Sequence, residues 1–285
     1  MKSNILISNP QEFEKKLNLI ISWGSQHLHI IADFDRTLTK AFVNWEPKTA
    51  LISIIQDKWY LGPDFSVKSK ENFNKYHPIE IDPSIPFEEK KQAMHSRWKD
   101  QFELILKSWL TKDIIKHVVD TEEIPFRDWY SEFFDLLKSK DIPLIIFSSS
   151  GMWYEWIYYT LQKIDKLSDN IHIISNAFIR DENNKVISIR EPIVHSLNKD
   201  ETAVRDFPVY QDIKQRKNIL ILWDSPWDAD MANGFDYENI LKIWFLNHDN
   251  PVNREIFLSK FDMLILGDWP MDEINKLIQL IVKSE

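Results

Sequence analysis

None of the 285 residues is cysteine, which excludes disulfides, thiolate nucleophiles and Cys-ligated zinc. Basic residues are in the minority, with 35 Lys and Arg against 44 Asp and Glu, for a formal net charge of −9. That balance argues against a nucleic acid polymer as partner, whereas a small anionic ligand needs only a local cationic pocket. No apolar run reaches membrane-spanning length without a charge or a Gly, Ser, Gln or His interruption. Ile5-Leu6-Ile7, ahead of Ser8-Asn9-Pro10, is too short for a signal-peptide core. A cytoplasmic protein with no membrane contact is the expectation. Repeats and low-complexity tracts are missing too, and His27, His29, His77 and His95 lack the His-x-x-x-His spacing of a zinc site.

The length is sufficient for a sizeable core, as one large domain or as a core domain carrying an insertion. Residues 9–22 read as a helix with Phe13, Leu17, Ile20 and Ile21 on one face, stopped by Gly24 and followed by a strand over Leu28–Ala32. From 45 to about 125 the pattern is amphipathic: Leu51–Trp59, Ala93–Leu110 and Ile114–Val119, separated by polar, proline-bearing stretches such as Tyr76-His77-Pro78. An alternation of strands and helices then resumes. It has a helix over Arg127–Ser139, strands at Ile142–Phe147, His172–Ile174, Asn218–Leu222, Ile240–Leu246 and Met263–Leu266, and a last helix over Met271–Val282. This rhythm predicts an α/β fold with a parallel sheet, divided into a Rossmann-like core at 1–40 and 127–285 and a helical insertion at 41–126.

Three of the apolar strands end in polar groups. The first runs into Asp33-Phe34-Asp35-Arg36-Thr37, the second into Ser148-Ser149-Ser150-Gly151, and the third into Trp223-Asp224 with Asp228 beyond. Strand-end aspartates often serve as turn or capping residues. If the three strands lie together in one parallel sheet, however, these groups converge at the edge where such sheets bind ligands. Paired carboxylates there suit phosphoryl chemistry. On that chemistry Asp33 would attack phosphorus, Asp35 would serve the leaving oxygen and then water, Mg2+ would offset the repulsion between anions, and Asp224 would hold the metal. Ser148 or Ser149 would hold phosphate oxygens, and Lys199 would spread charge in the transition state.

The order Asp-x-Asp-x-Thr, Ser, Lys, Asp-Ser-x-x-Asp resembles the four-motif pattern of the haloacid dehalogenase superfamily. Within it the chain is most similar to the cytosolic 5'-nucleotidase III, or pyrimidine 5'-nucleotidase, family. Further stretches carry the likeness: Lys75-Tyr76, Ile79-Glu80-Ile81-Asp82-Pro83, Glu88-Glu89-Lys90, Ser175-Asn176 and His195-x-x-Asn198-Lys199. The resemblance implies a haloacid dehalogenase core with an inserted helical cap, and hydrolysis of nucleoside 5'-monophosphates with Mg2+ through an aspartyl-phosphate. It assigns Asp33 as nucleophile, Asp35 as acid and base, and Lys199 as phosphate clamp. Asp33, the Asp35 carbonyl and Asp224 would be metal ligands, with Asp228 beside or facing the metal.

The chain also departs from that pattern. Trp223 and Trp227 replace glycines around the metal aspartate, where a large ring fills volume and forbids positive φ. The acidic residue that meets the base in the family falls near Ser96-Arg97-Trp98, where no glutamate matches. Trp98 either stacks a base or packs in a helix core. Gly267-Asp268-Trp269-Pro270-Met271-Asp272 offers a competing Asp-x-x-x-Asp at a strand end. Two alternatives follow from the departures: a phosphatase for another small metabolite such as a sugar phosphate, or a decayed nucleotide-binding scaffold in which the tryptophans crowd the metal loop.

Overall fold

The computed structural model describes residues 4–48, 50–82, 84–149, 154–199, 204–205, 207–224 and 236–283. Strand β1 (Ile5–Ile7) precedes helix α1 (Pro10–Trp23). The Asn9 side chain caps α1 by accepting from the Glu12 N–H at 3.2 Å, and Pro10 sits in the first turn, where a missing N–H is harmless. Gly24, at φ 76, closes the helix with N–H bonds to the Ile20 and Ile21 carbonyls. Then come β2 (Leu28–Ala32), the short hairpin of β3 (Phe42–Val43) and β4 (Glu46–Pro47), and four helices: α2 (Leu51–Asp57), α3 (Gly62–Ile81), α4 (Phe87–Leu106) and α5 (Lys112–Thr121). The chain continues through α6 (Tyr130–Ser139), β5 (Leu144–Phe147), α7 (Tyr154–Lys163), β6 (Ile171–Ile174) and the hairpin β7 (Phe178–Arg180) and β8 (Val186–Ile189). It ends with α8 (Val209–Ile213), β9 (Asn218–Trp223), β10 (Asn239–Leu246), α9 (Pro251–Leu258), β11 (Met263–Leu266) and α10 (Asp272–Lys283).

Seven strands make the central sheet in the order β1-β11-β10-β9-β2-β5-β6, parallel throughout except for β1, which pairs antiparallel with β11 at one edge. Every residue of β2 is buried, as expected of a parallel strand covered on both faces. β2 lies between β9 and β5, with Ala32 level with both Leu222 and Ile146. The polar ends of these three strands are therefore neighbours. Alternate side chains of β9 and β10 enter different apolar layers. Leu222 faces the layer built from α1, α6, α7 and α10, which continues without a break into Trp98, Phe102 and Ile105 of α4. Trp223 faces the other layer, edge-on to Phe261 at 5.6 Å, beside Trp244 stacked on Phe257 at 4.0 Å.

Two local expectations are corrected. Residues 62–81, read from sequence as a polar separator, form one 20-residue helix that runs through Pro78. The buried face of α3 is largely polar: Ser66 donates to the Gln56 carbonyl (2.7 Å), and Gln56 bonds Ser69. Ser69 donates to Gln101 Oε1 (2.8 Å), while Asn72 donates to the Arg97 carbonyl (3.0 Å). A helix packed through hydrogen bonds shows no apolar stripe. Helix α6 begins at Tyr130 rather than Arg127, which is fully buried in the crossing between the inserted helices and the sheet.

Candidate active site

The β2 ladder continues into Asp33, whose N–H reaches the Leu222 carbonyl at 3.0 Å. This bond fixes the backbone and leaves the side chain at the sheet edge. Asp33 Oδ1 accepts from the Phe34 N–H at 2.9 Å and lies 3.1 Å from Lys199 Nζ, with both residues buried. The chain turns sharply after Asp35, with Arg36 at φ 60 and ψ 4. The Thr39 hydroxyl braces the turn by accepting from the Arg36 N–H (2.9 Å) and donating to the Phe34 carbonyl (3.3 Å).

Lys199 reaches Asp33 from a loop held by side-chain amides. Asn176 accepts from the Val194 N–H and donates to the Val194 carbonyl, each at 2.8 Å. Asn198 accepts from the His195 N–H (2.7 Å) and donates to the Ile193 carbonyl (2.7 Å). His195 Nδ1 accepts from the Leu197 N–H at 3.2 Å, so this ring is neutral, and burial pushes its pKa down to about 4 with His95 and Lys91 acting in the same direction. The stretches Ser175-Asn176 and His195-x-x-Asn198 are thus the scaffold that aims the lysine.

Asp33, Asp35, Ser149 and Asp224 line one cavity of about 440 Å³. Ser148 is buried, its N–H bonded to the Ile174 carbonyl at 3.0 Å. The opposite wall comes from the inserted helices: Phe73, His77 and Glu80 along one face of α3, and Arg97 and Trp98 on α4. The Arg97 guanidinium lies 5.1 Å from the centres of both the Phe73 and Trp98 rings and 3.1 Å from Glu80, which in turn accepts from the Ser196 hydroxyl at 2.8 Å. A second space of about 490 Å³ adjoins the first, shares Arg36, Phe73, Arg97 and Trp98 with it, and reaches Gln101. Trp98 is only 6% exposed and stacks on Phe102, so it both packs the helix and presents a face to the cavity. Phe73 and Glu80 were not singled out as site residues from sequence. Their spacing with His77, every three or four residues, was the available signal, masked by Pro78 and the polar face of α3.

Trp223, which in the decayed-scaffold alternative would crowd the metal loop, is fully buried and turned into the layer on the far face of the sheet. Because strand side chains alternate, it sits behind Asp224 rather than in front of it. Trp227 and Asp228 lie outside the described residues. The competing Asp268 does not line the cavity among the described residues. Its carboxylate accepts from the Ala41 (2.9 Å) and Phe42 (3.0 Å) N–H groups and pairs with Arg127 at 3.1 Å. No trio of His, Asp or Glu side chains among the described residues forms a complete metal cage. Asp33 and Asp224 supply hard carboxylate oxygens that suit Mg2+, which ordinarily takes one or two carboxylates and fills its other positions with water and substrate oxygens.

A mainly parallel sheet with acids at its carboxyl edge and helices inserted after the first acidic strand is the architecture of haloacid dehalogenase-type phosphatases. A HAD family hydrolase from Salmonella enterica shares this fold, with a TM-score of 0.55 and 16% identity over 95% of this chain and 81% of that one. The pyrimidine 5'-nucleotidase (UMPH-1) family profile matches residues 36–282, and the chain belongs to that family. It is 31% identical over 282 residues to the 7-methylguanosine phosphate-specific 5'-nucleotidase A of Xenopus laevis, covering 98% of this chain and 96% of the relative. It is 28% identical to the putative cytosolic 5'-nucleotidase 3 of Caenorhabditis elegans, covering 99% and 77%. Cytosolic 5'-nucleotidase IIIB bound to cytidine superposes with a TM-score of 0.87 at 27% identity, covering all of this chain and 95% of the other. No described helix is long and apolar enough to cross a membrane.

Proposed function

We propose that this chain is a Mg2+-dependent phosphatase that hydrolyses nucleoside 5'-monophosphates through an aspartyl-phosphate, acting in the cytoplasm. The observation that carries the reading is the single cavity that joins Asp33, Asp35 and Asp224 on the sheet edge to Phe73, Arg97 and Trp98 on the inserted helices. One wall has the groups for phosphoryl transfer and the other has aromatic faces for a base. Residues 41–126 would then act as a cap over a core made of 1–40 and 127–285. The relatives named for 7-methylguanosine phosphate and the neighbour bound to cytidine support a nucleoside leaving group.

Among the described residues the Phe34 N–H and the Lys199 ammonium both meet Asp33 Oδ1, which would leave Oδ2 to attack the phosphorus. As the Asp33 oxygen bonds to phosphorus, the ester P–O bond breaks and the Asp35 carboxyl gives its proton to the departing 5'-oxygen. The Asp35 carboxylate then takes a proton from the water that attacks the phospho-aspartate, releasing inorganic phosphate and restoring Asp33. Lys199 balances the charge on the nucleophile and the transferring group, and the Ser149 hydroxyl bonds a phosphate oxygen. Asp33, Asp224 and the Asp35 carbonyl, with Asp228 as a further candidate, would hold Mg2+, which when bound lowers the repulsion between these carboxylates and the incoming phosphate.

The inward turn of Trp223 removes one ground for a decayed scaffold. Asp33→Asn should fold normally and lose Mg2+-dependent phosphate release, and undiminished turnover would refute the mechanism. A panel of phosphate esters tests the substrate, and the nucleotide reading fails if nucleoside monophosphates rank among the poorest.

A further inference from the structure

Arg127 is fully buried, yet its donors all meet oxygen. Nε donates to the Thr37 carbonyl (2.6 Å), Nη1 to the Trp269 carbonyl (2.7 Å), and Nη2 to both the Arg36 carbonyl (2.5 Å) and Asn247 Oδ1 (2.7 Å). Nη1 also pairs with Asp268 at 3.1 Å, and the guanidinium lies over the Phe245 ring at 3.9 Å. Burial pulls its pKa down to about 10, with Asp268 and Asp224 opposing, so the charge persists at neutral pH.

Asn247 carries this arrangement to the cavity. With Oδ1 taken by Arg127, its amide has one satisfactory orientation, and Nδ2 donates to the Arg36 carbonyl (3.0 Å) and to Asp224 Oδ2 (3.3 Å). Arg36 is in the left-handed region at φ 60, a conformation that a non-glycine residue keeps only when its surroundings hold it. Its carbonyl is gripped by both Arg127 and Asn247. The same two side chains therefore hold the turn that follows Asp35 and orient the carboxylate of Asp224. Neither lines the cavity.

We propose that Arg127 and Asn247 are positioning residues for the metal-binding edge, with the Asn247 amide orienting Asp224 and both clamping the Arg36 turn so that Asp35 stays beside it. This inference rests on the Mg2+-phosphatase reading. The clamp also reaches the crossings between sheet and inserted helices. Asp268 binds the Ala41 and Phe42 N–H groups, and the Arg127 N–H bonds the Leu38 carbonyl at 3.1 Å. Ligand-orienting partners of this kind commonly set metal affinity without touching the ion.

The test uses the full chain carrying Asn247→Ala, with Mg2+ binding measured by calorimetry in the absence of substrate and kinetics measured alongside. Mg2+ should bind about 10–100-fold more weakly and kcat should fall by a similar factor. KM at saturating Mg2+ should stay close to the parent value, while the Tm without Mg2+ should drop by a few degrees because the buried Arg127 loses one of its oxygen partners. Arg127→Lys keeps the charge but cannot bridge the Arg36 carbonyl and Asn247 together, and where it folds it should weaken Mg2+ in the same way. Mg2+ affinity and kcat both within twofold of the parent in Asn247→Ala would overturn the inference. A parent chain that binds Mg2+ but releases phosphate from no nucleotide would overturn the functional reading alone, and one that binds no Mg2+ would overturn both.

Discussion

Asn176 offers a sharp test of how the fold supports the chemistry, because it touches neither substrate nor metal in this reading. Its amide makes two 2.8 Å bonds to the backbone of Val194, a residue only 2% exposed. Asn176→Ala leaves that buried N–H and carbonyl without partners, at about 1–3 kcal/mol for each group. A total of about 2–6 kcal/mol corresponds to a Tm drop of roughly 4–24 °C in a chain of this size class. The loop it anchors runs directly to Lys199, 3.1 Å from Asp33, so kcat should fall together with stability even at temperatures where the variant is fully folded. Thermal unfolding and steady-state kinetics at 20 °C check both effects. A Tm within 1 °C of the parent, or a destabilised variant with unchanged kcat, would refute the claim that this amide aims the lysine.

Acid should destabilise the protein well before most carboxylates titrate. Burial pushes His29 down to about 3 and His195 to about 4, whereas both return to about 6.5 on unfolding. The unfolded chain therefore binds more protons between those limits. The stabilisation is complete above pH 6.5 and declines as pH falls towards 4 and 3, by about 2 kcal/mol for each ring at pH 5. Urea midpoints that are equal at pH 7 and pH 5 would contradict this, and His29→Leu should flatten the slope. Trp98→Leu should raise KM for nucleoside monophosphates about 5–150-fold, from the loss of about 1–3 kcal/mol of stacking. The rise should exceed that for a base-free phosphate ester, and an equal rise for both would assign Trp98 to packing alone.

Period and punctuation made much of this molecule readable in one dimension. The apolar run Leu28–Ala32 is a strand with those bounds, and Pro10 and Gly24 bracket α1 because a missing N–H and a positive φ are requirements of the backbone itself. Carboxylates at strand ends were conspicuous because an apolar strand gives them no packing reason to be there. Helix α3 was not readable, since its buried face is satisfied by Ser66, Ser69 and Asn72 rather than by apolar contact, and with it went the positions of Phe73 and Glu80.

Linear order alone brought Asp33, Asp35, Ser148 or Ser149, Lys199 and Asp224 into consideration, because each residue's chemistry is intrinsic to its side chain. Three-dimensional packing decided where these residues and their neighbours lie, which chemistry could not. Ser149 rather than Ser148 lines the cavity, Asp268 binds the Ala41 and Phe42 amides, and Trp223 faces the far layer. These outcomes depend on which face of a strand a residue occupies and on which distant partner meets it. Arg127 shows the limit most plainly. As a sequence letter it is one more cation, and only the convergence of Thr37, Arg36, Asn247, Asp268 and Trp269 around it reveals what it holds in place.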